Sequence, residues 1–342
     1  MRAAVYRRFG GPDTVGVEEI PRPSVGPDDV LIRVQASTVS AADHRARSRE
    51  VPRGLGLLAA TGIGLLRPKR RVLGMDAAGV VEAIGRNVTR FAPGDEVIAM
   101  LGADFGGHAE YARIRSDGAI ALKPRTMTFE DAVTLVFGGL TARGFLRQAH
   151  LVPGATVLVN GASGAVGTAV VQLAEHAGGR VTAVCSGPNR ELVTSLGADR
   201  VIDHTTEDFT AERAGYDVIV DCVGNAPYER AGPLLRPGGA LLLVVADLPA
   251  ILRAPVRSRR SGHRVTADGG KPTADDLAFL VALAEAGAYR AVRDRTFDLA
   301  EIVEAHRYVD TGHKRGNVVL RLTGGPGSTT SSIQHHSREA AS

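Results

Sequence analysis

The stretch Val157 to Gly187, VLVNGASGAVGTAVVQLAEHAGGRVTAVCSG, restricts the fold of this chain more than any other. An apolar run at 156–160 leads into Ala162-Ser163-Gly164-Ala165-Val166-Gly167, a helical pattern follows over 165–177, and a second apolar run occupies 181–185. Strand, glycine turn, helix and strand in that order predict a βαβ unit, because parallel strands need a crossover. The small residues have separate tasks. Ala162 keeps the turn tight, Gly164 lets a pyrophosphate approach the backbone, and Gly167 lets the helix close on the sheet. The helix start, with Ser163, Ala165 and Val166, offers N–H groups to the phosphates. A glycine pattern in this strand-to-helix setting reads as a dinucleotide site.

The end of the second strand selects the cofactor. A carboxylate there would bond the ribose 2′-hydroxyl of NAD. The chain has Cys185-Ser186-Gly187, with Arg190 just beyond. Without an acid to repel it, a 2′-phosphate can take Ser186 as donor and Arg190 as charged partner, which predicts NADPH.

A length of 342 residues suits two domains. Up to residue 125, short runs are separated by Gly, Pro and Asp turns, an all-β pattern. Helices at 130–135 and 140–149 come next. Strands at 156–160, 181–185, 200–202, 218–222 and 240–245 then alternate with helices at 165–177 and 190–196, which predicts an α/β doubly wound parallel sheet. A helix (274–286), a strand (296–298), a helix (299–311) and a strand (317–322) complete the pattern. Residues 323–342 have almost no large apolar side chains and are expected to be disordered.

Cys185 and Cys222 lie in apolar runs and read as small buried hydrophobes in a reducing, cytoplasmic setting. The net charge of +4 demands neither nucleic acid nor membrane. The apolar stretch 54–66 contains glycines and is too short for a span. Residues 51–71 are either a wall or lid of a substrate pocket or a surface loop packed on a partner subunit. The basic run RSRRSGHR, 257–264, is expected to be a solvated loop. The piece 263–267 would be the last strand of the parallel sheet. Its open edge predicts a homodimer joined edge to edge.

The segments GMDAAGVVEAIGRNVTRFAPGDEVIAM, GGHAEYARI, FGGLTARGFL, LGADRVIDHTTEDF, YDVIVDCVGN and GHKRGNVVL, with the glycine loop in sequence between them, resemble the zinc-independent, quinone-oxidoreductase-like branch of the medium-chain dehydrogenase/reductase superfamily. The resemblance implies a GroES-like β-rich catalytic domain (1–125 and 272–322) around a Rossmann NADP-binding domain (126–271), with the nicotinamide between them. In zinc-dependent members a Cys stands where this chain has Ser40 and a His where it has Met75. The lobe near 100–107 has no Cys, so no metal site is expected.

The implied reaction is hydride transfer from NADPH to a quinone or α,β-unsaturated carbonyl, an apolar small molecule. The branch usually has Asn in place of Ser40, which can still donate a hydrogen bond at shorter reach. Ser40 and Thr141 are the candidate donors to a developing oxyanion, His44 a candidate proton donor and Asp43 an orienting group. His204, Val223, Gly224, Val245 and Asn317 are carried over as cofactor contacts. Two other readings remain open: a non-catalytic NADPH-binding protein for interaction or redox sensing, and a metal-free alcohol or ketone oxidoreductase.

Overall fold

Short runs rich in Val, Ile and Ala, cut by Gly, Pro and Asp turns, form the strands of the N-terminal part. In the computed structural model, which describes residues 1–211 and 215–322, β1 (Arg2–Tyr6) pairs antiparallel with β2 (Val15–Glu19). β3 (Asp29–Val39) is followed by α1 (Ala41–Ser48) and α2 (Gly56–Ile63). Then come β4 (Asp76–Ile84), β5 (Glu96–Met100), β6 (Tyr111–Arg115) and β7 (Ile120–Leu122). α3 (Phe129–Ala132) and α4 (Phe137–Ala149) lead into the alternating part. It runs β8 (Thr156–Asn160), α5 (Ala165–His176), β9 (Arg180–Cys185), α6 (Arg190–Ser195), β10 (Arg200–Asp203) and β11 (Tyr216–Asp221). It continues with α7 (Tyr228–Ala231), β12 (Leu235–Leu243), α8 (Leu248–Ser261) and β13 (Arg264–Thr266). α9 (Ala274–Glu285), β14 (Arg293–Asp298), α10 (Ile302–Asp310) and β15 (Asn317–Arg321) close the described chain. The tail 323–342 lies outside the described residues.

The alternating part forms one parallel sheet in the order β10-β9-β8-β11-β12-β13. Val157, Val159, Val181, Val218 and Val220 face one side, against Leu140, Val170 and Leu280 of α4, α5 and α9. Leu158, Val184, Ile219 and Leu241 face the other, with Ala231 and Ala254 of α7 and α8. Side chains alternate along a strand, so burial of both faces is why these strands read as unbroken apolar runs. The other large sheet has the order β14-β15-β3-β4-β5-β7, with β6 also on β3. The GroES-like sheet is thus completed by the returning β15, antiparallel to β3. The return also touches the parallel domain: Gly316 N–H donates to the Ser163 carbonyl at 2.8 Å.

Three points go beyond the sequence reading, two of them as corrections. The basic run is not a solvated loop, because residues 257–261 belong to α8. The Asp247 side chain caps this helix through Ala250 N–H, a proline stands in its first turn, and Gly262 ends it at φ +75°. Pro255 lies inside the helix without ending it. Residues 56–63 of the apolar insert are likewise helical.

The third concerns the sheet edge. β13 is the last strand, as expected, but its outer side is not open. Val265 N–H donates to Ser258 Oγ at 2.8 Å, and Ser258 Oγ donates to the Val265 carbonyl at 3.1 Å. A hydroxyl of α8 therefore occupies the donor and acceptor that an edge-to-edge partner would need.

Candidate active site

The phosphate loop begins where β8 ends. Gly161 turns the chain at φ +80°, a conformation side chains resist. The N–H groups of Gly161 and Ala162 donate to the Val184 carbonyl at 3.0 Å each. Gly164 is the N-cap of α5. A Cβ added at Gly164 would have only the Gly161 carbonyl oxygen near it, at 3.6 Å, so the space before this backbone is open. A Cβ at Gly167 would lie 2.1 Å from the same oxygen. One glycine is small for a ligand and the other for helix packing. The open cradle at the start of α5, with Ser163, Ala165 and Val166 around it, fits a dinucleotide pyrophosphate.

At the end of β9, Asn189 Nδ2 donates to Ser186 Oγ at 3.0 Å and to Ser163 Oγ at 3.2 Å. Asn189 is buried, and its Oδ1 has no hydrogen-bond partner among the described residues. Arg190 is exposed and spends one N–H on the Val201 carbonyl at 3.2 Å. The expectation of no acid nearby is corrected by Asp203, which ends the neighbouring β10. A Cβ on Gly187 would lie 2.5 Å from Asp203 Oδ2. The Thr205 hydroxyl and N–H, with a further bond from the Gly187 backbone, hold this carboxyl below its usual range. His204 is exposed, and its N–H donates to the Cys185 carbonyl at 3.2 Å.

Beyond β11, the fully buried Asp221 gathers the loop carrying Val223 and Gly224. It accepts their N–H groups at 3.0 Å, that of Ala226 at 2.9 Å, and Asn160 Nδ2 at 2.9 Å. Val244 N–H donates to the Asp221 carbonyl at 3.0 Å and Val245 N–H to the same oxygen at 3.4 Å. Asn317 is turned inward, with its side-chain amide on the Val292 carbonyl at 3.1 Å. Lys314 Nζ donates to the Gly316 carbonyl at 2.6 Å, and burial pushes its ammonium down to about 8.

The facing wall comes from the GroES-like domain. Ser40 gives its hydroxyl proton to Asp43 Oδ2 at 2.6 Å and accepts Asp43 N–H at 3.3 Å. The pair is a capping box that starts α1, and Asp43 Oδ1 also takes Gly74 N–H at 2.8 Å. His44 sits between Asp310, 2.6 Å from Nδ1, and Glu50, 3.3 Å from Nε2. Thr141, on α4 of the parallel-sheet domain, donates back to the Phe137 carbonyl at 2.7 Å. All three hydroxyl or imidazole groups expected to serve a substrate thus have protein partners. The Ser-x-x-Asp spacing was a legible signal of the cap.

Beneath this wall, Asp76 is fully buried. It accepts Thr38 N–H at 2.7 Å, Thr38 Oγ1 at 2.6 Å and Ser37 Oγ at 3.2 Å. Burial pushes its carboxyl up to about 7 against these bonds, and nearby Asp43 adds to the rise.

A cavity of about 500 Å³ opens between the domains, lined by Val51 and Pro52 of the insert and by Gly224, Val245 and Ala246 at the carboxyl edge of the parallel sheet. Ligands bind at such edges in open α/β sheets. The insert is tied there as well: Leu248 N–H donates to the Arg53 carbonyl at 3.0 Å. Asn189, Asp203, Asp221 and Gly316 were missed in the sequence, because what brings each to the site is a neighbour distant in the chain: Ser163 for Asn189 and Gly316, Gly187 for Asp203 and Asn160 for Asp221. Among the described residues, no three His, Cys, Asp or Glu side chains are grouped to hold a metal, and no helix is long and apolar enough to cross a membrane.

Fold and loop together define a nicotinamide-dependent oxidoreductase of two domains. Residues 26–125 match the family described as alcohol dehydrogenase GroES-like domain, and residues 196–320 that described as zinc-binding dehydrogenase. The chloroplastic quinone-oxidoreductase QR1 of Triphysaria versicolor is 32% identical, over 94% of this chain and 98% of its own. The chloroplastic NADPH-dependent alkenal/one oxidoreductase of Arabidopsis thaliana is 33% identical, over 94% and 79%. The structure of the quinone oxidoreductase from Coxiella burnetii superposes with a TM-score of 0.84 at 28% identity, over 94% of this chain and 99% of that one. The chain belongs to the medium-chain dehydrogenase/reductase superfamily, in its quinone-oxidoreductase-like branch.

Proposed function

We propose that the protein is a metal-independent, NADPH-dependent reductase of quinones or α,β-unsaturated carbonyls. The phosphate cradle carries this reading: the space before the Gly164 backbone is open at the start of α5, a cavity lined in part by Val51, Pro52, Val245 and Ala246 opens between the domains, and Ser40 and Met75 stand where thiolate and imidazole would bind zinc. The names of the relatives support the same acceptors. Gly164 and the start of α5 would hold the pyrophosphate, with Ala162 and Gly167 shaping the turn. Ser186 and Arg190 would hold the 2′-phosphate, with Asp203 opposing them. Val223, Gly224, Val245 and Thr141 would border the nicotinamide, His204 the adenosine and Asn317 the returning strand. When bound, the reduced nicotinamide supplies a hydride to an electron-poor carbon, and the acceptor takes a proton from water. Ser40 acts as a positioning residue that fixes Asp43 and the start of α1, and His44 ties α1 to α10. The protein contributes placement and a partly dry groove.

The domain boundaries 1–125 with 272–322, and 126–271, belong to the same reading, as does a reducing, cytoplasmic setting, which the free Cys185 and Cys222 support. A homodimer is retained, now through the exposed Leu57 and Leu66 of the insert and Leu252 of α8. The deciding experiment follows loss of NADPH absorbance with quinones, enones and saturated ketones. Turnover of quinones or enones that chelators leave unchanged, in protein without stoichiometric zinc, is expected. Cofactor binding without turnover on the whole panel would overturn the reading in favour of a binding protein.

A further inference from the structure

The cleft wall carries two cationic side chains without a protein partner, which an apolar acceptor leaves unused. Three carboxylates and two guanidiniums line the cavity: Glu50, Asp221, Asp247, Arg45 and Arg53. Each carboxylate has a partner. Asp221 holds the loop after β11, Asp247 caps α8 through Ala250 N–H at 2.8 Å, and Glu50 meets His44 at 3.3 Å. Neither the Arg45 nor the Arg53 side chain makes a hydrogen bond or ion pair with another described residue.

Arg45 is the stronger of the two because it is half-buried on a fixed helix. The capping box of Ser40 and Asp43 sets the start of α1. Arg47, two residues further on, is fully buried and binds the Gly10 carbonyl at 2.6 Å and Asp310 at 2.7 Å. Residues two apart on a helix point to different faces, so the anchoring of Arg47 keeps Arg45 toward the cleft. A guanidinium withdrawn from water without an anion is unfavourable, and burial alone already lowers its pKa. The cofactor's phosphates do not answer this need, since Ser163, Gly164 and Ser186 are absent from the cavity lining.

We propose that the substrate brings the anion: an α,β-unsaturated carbonyl bearing a carboxylate, gripped by the fork of Arg45 with Arg53 at the mouth. A guanidinium matches a carboxylate in bidentate geometry, so Arg45 selects among acceptors rather than taking part in their reduction. This rests on the reductase reading.

The test uses (E)-4-oxopent-2-enoate and its methyl ester, which share one enone and differ in charge. In the parent enzyme kcat/KM favours the acid, and in Arg45→Gln the acid-to-ester ratio falls about tenfold, through KM of the acid. Arg45→Lys restores part of the ratio, and added salt reduces it in the parent. Calorimetric titration of the saturated product, 4-oxopentanoate, into the protein with oxidised cofactor shows the same weakening in Arg45→Gln. An unchanged ratio in a folded Arg45→Gln variant overturns the proposal. So does a loss of cofactor affinity without a change in ratio, which would assign Arg45 to the cofactor. If neither acid nor ester turns over, the reductase reading fails, and the calorimetric titration alone decides whether Arg45 binds the anion.

Discussion

Asp76 and His306 should cancel one another's effect on stability over much of the acid range, and removing either should expose the other. They share one buried cluster. Asp76 holds Thr38, whose carbonyl meets His108 Nε2 at 2.9 Å, and the His108 ring lies 5.9 Å from that of His306. The folded Asp76 carboxyl titrates at about 7 against an ordinary 3.8. Between those values the folded chain binds the extra proton, so stability rises as pH falls. The contribution is full below 3.8 and lost through 7. Burial, with His108, Arg47 and His44 nearby, holds the His306 imidazole well below its ordinary 6.5. Below 6.5 the unfolded chain binds that proton, so stability falls as pH falls.

Each slope is about 1.4 kcal/mol per pH unit, and the Asp76 shift amounts to roughly 4 kcal/mol over its range. Asp76→Asn keeps the acceptor for Thr38 N–H and removes the titration. Urea unfolding of parent and variant, compared at each pH, cancels the background of other carboxylates. The stability of Asp76→Asn relative to the parent should fall by about 1.4 kcal/mol for each unit from pH 7 toward 4. His306→Leu should show the opposite trend below about pH 6.5. A difference between Asp76→Asn and the parent that stays constant from pH 7 to about 4.5 would refute the reasoning.

Other outcomes follow from the cleft and the surface. Gly164→Val should lose NADPH binding in fluorescence titration while retaining its circular dichroism, because the added side chain would enter the open cradle. Arg190→Ala should cut the preference for NADPH over NADH about tenfold, and Asp203→Asn should raise it, read as the ratio of dissociation constants. If the proposed dimer forms through the insert and α8, Leu252→Glu should give a monomer by light scattering, whereas Ser258→Ala, which opens the β13 edge, should leave the dimer in place.

The parallel sheet was legible because burial of both faces writes itself as apolar runs, and the loop because only small residues serve at Gly164 and Gly167. α8 was not, since Pro255 and the arginines around it suggest a break. What holds that helix is the Asp247 cap and the docking of Ala254 on the sheet, and the second is not visible in a local window. The acid near the 2′-phosphate position was sought at the end of β9, but Asp203 comes from the adjacent strand. The unpaired state of Arg45 could not be read from a sequence either, because it depends on where every carboxylate finds its partner. Ser40 differs from these: its capping spacing with Asp43 was present in the letters, and the chemistry expected of a hydroxyl near a cofactor concealed it.

The tie between Gly316 and Ser163 has a consequence for how this protein is made. All six strands of the parallel sheet precede residue 267, so during synthesis the sheet emerges from the ribosome before the segment that secures its glycine loop. Synthesis proceeds N-terminal first at about 5–20 residues per second. Competence for cofactor is therefore expected to arrive late and together with β15, which completes the other domain. A nascent chain held just short of Gly316 should fail to retain NADPH, and one extended beyond Leu322 should retain it. On this reading the last strand would act as a timing device, tying the chain's hold on its cofactor to completion of the second domain through the Gly316–Ser163 bond.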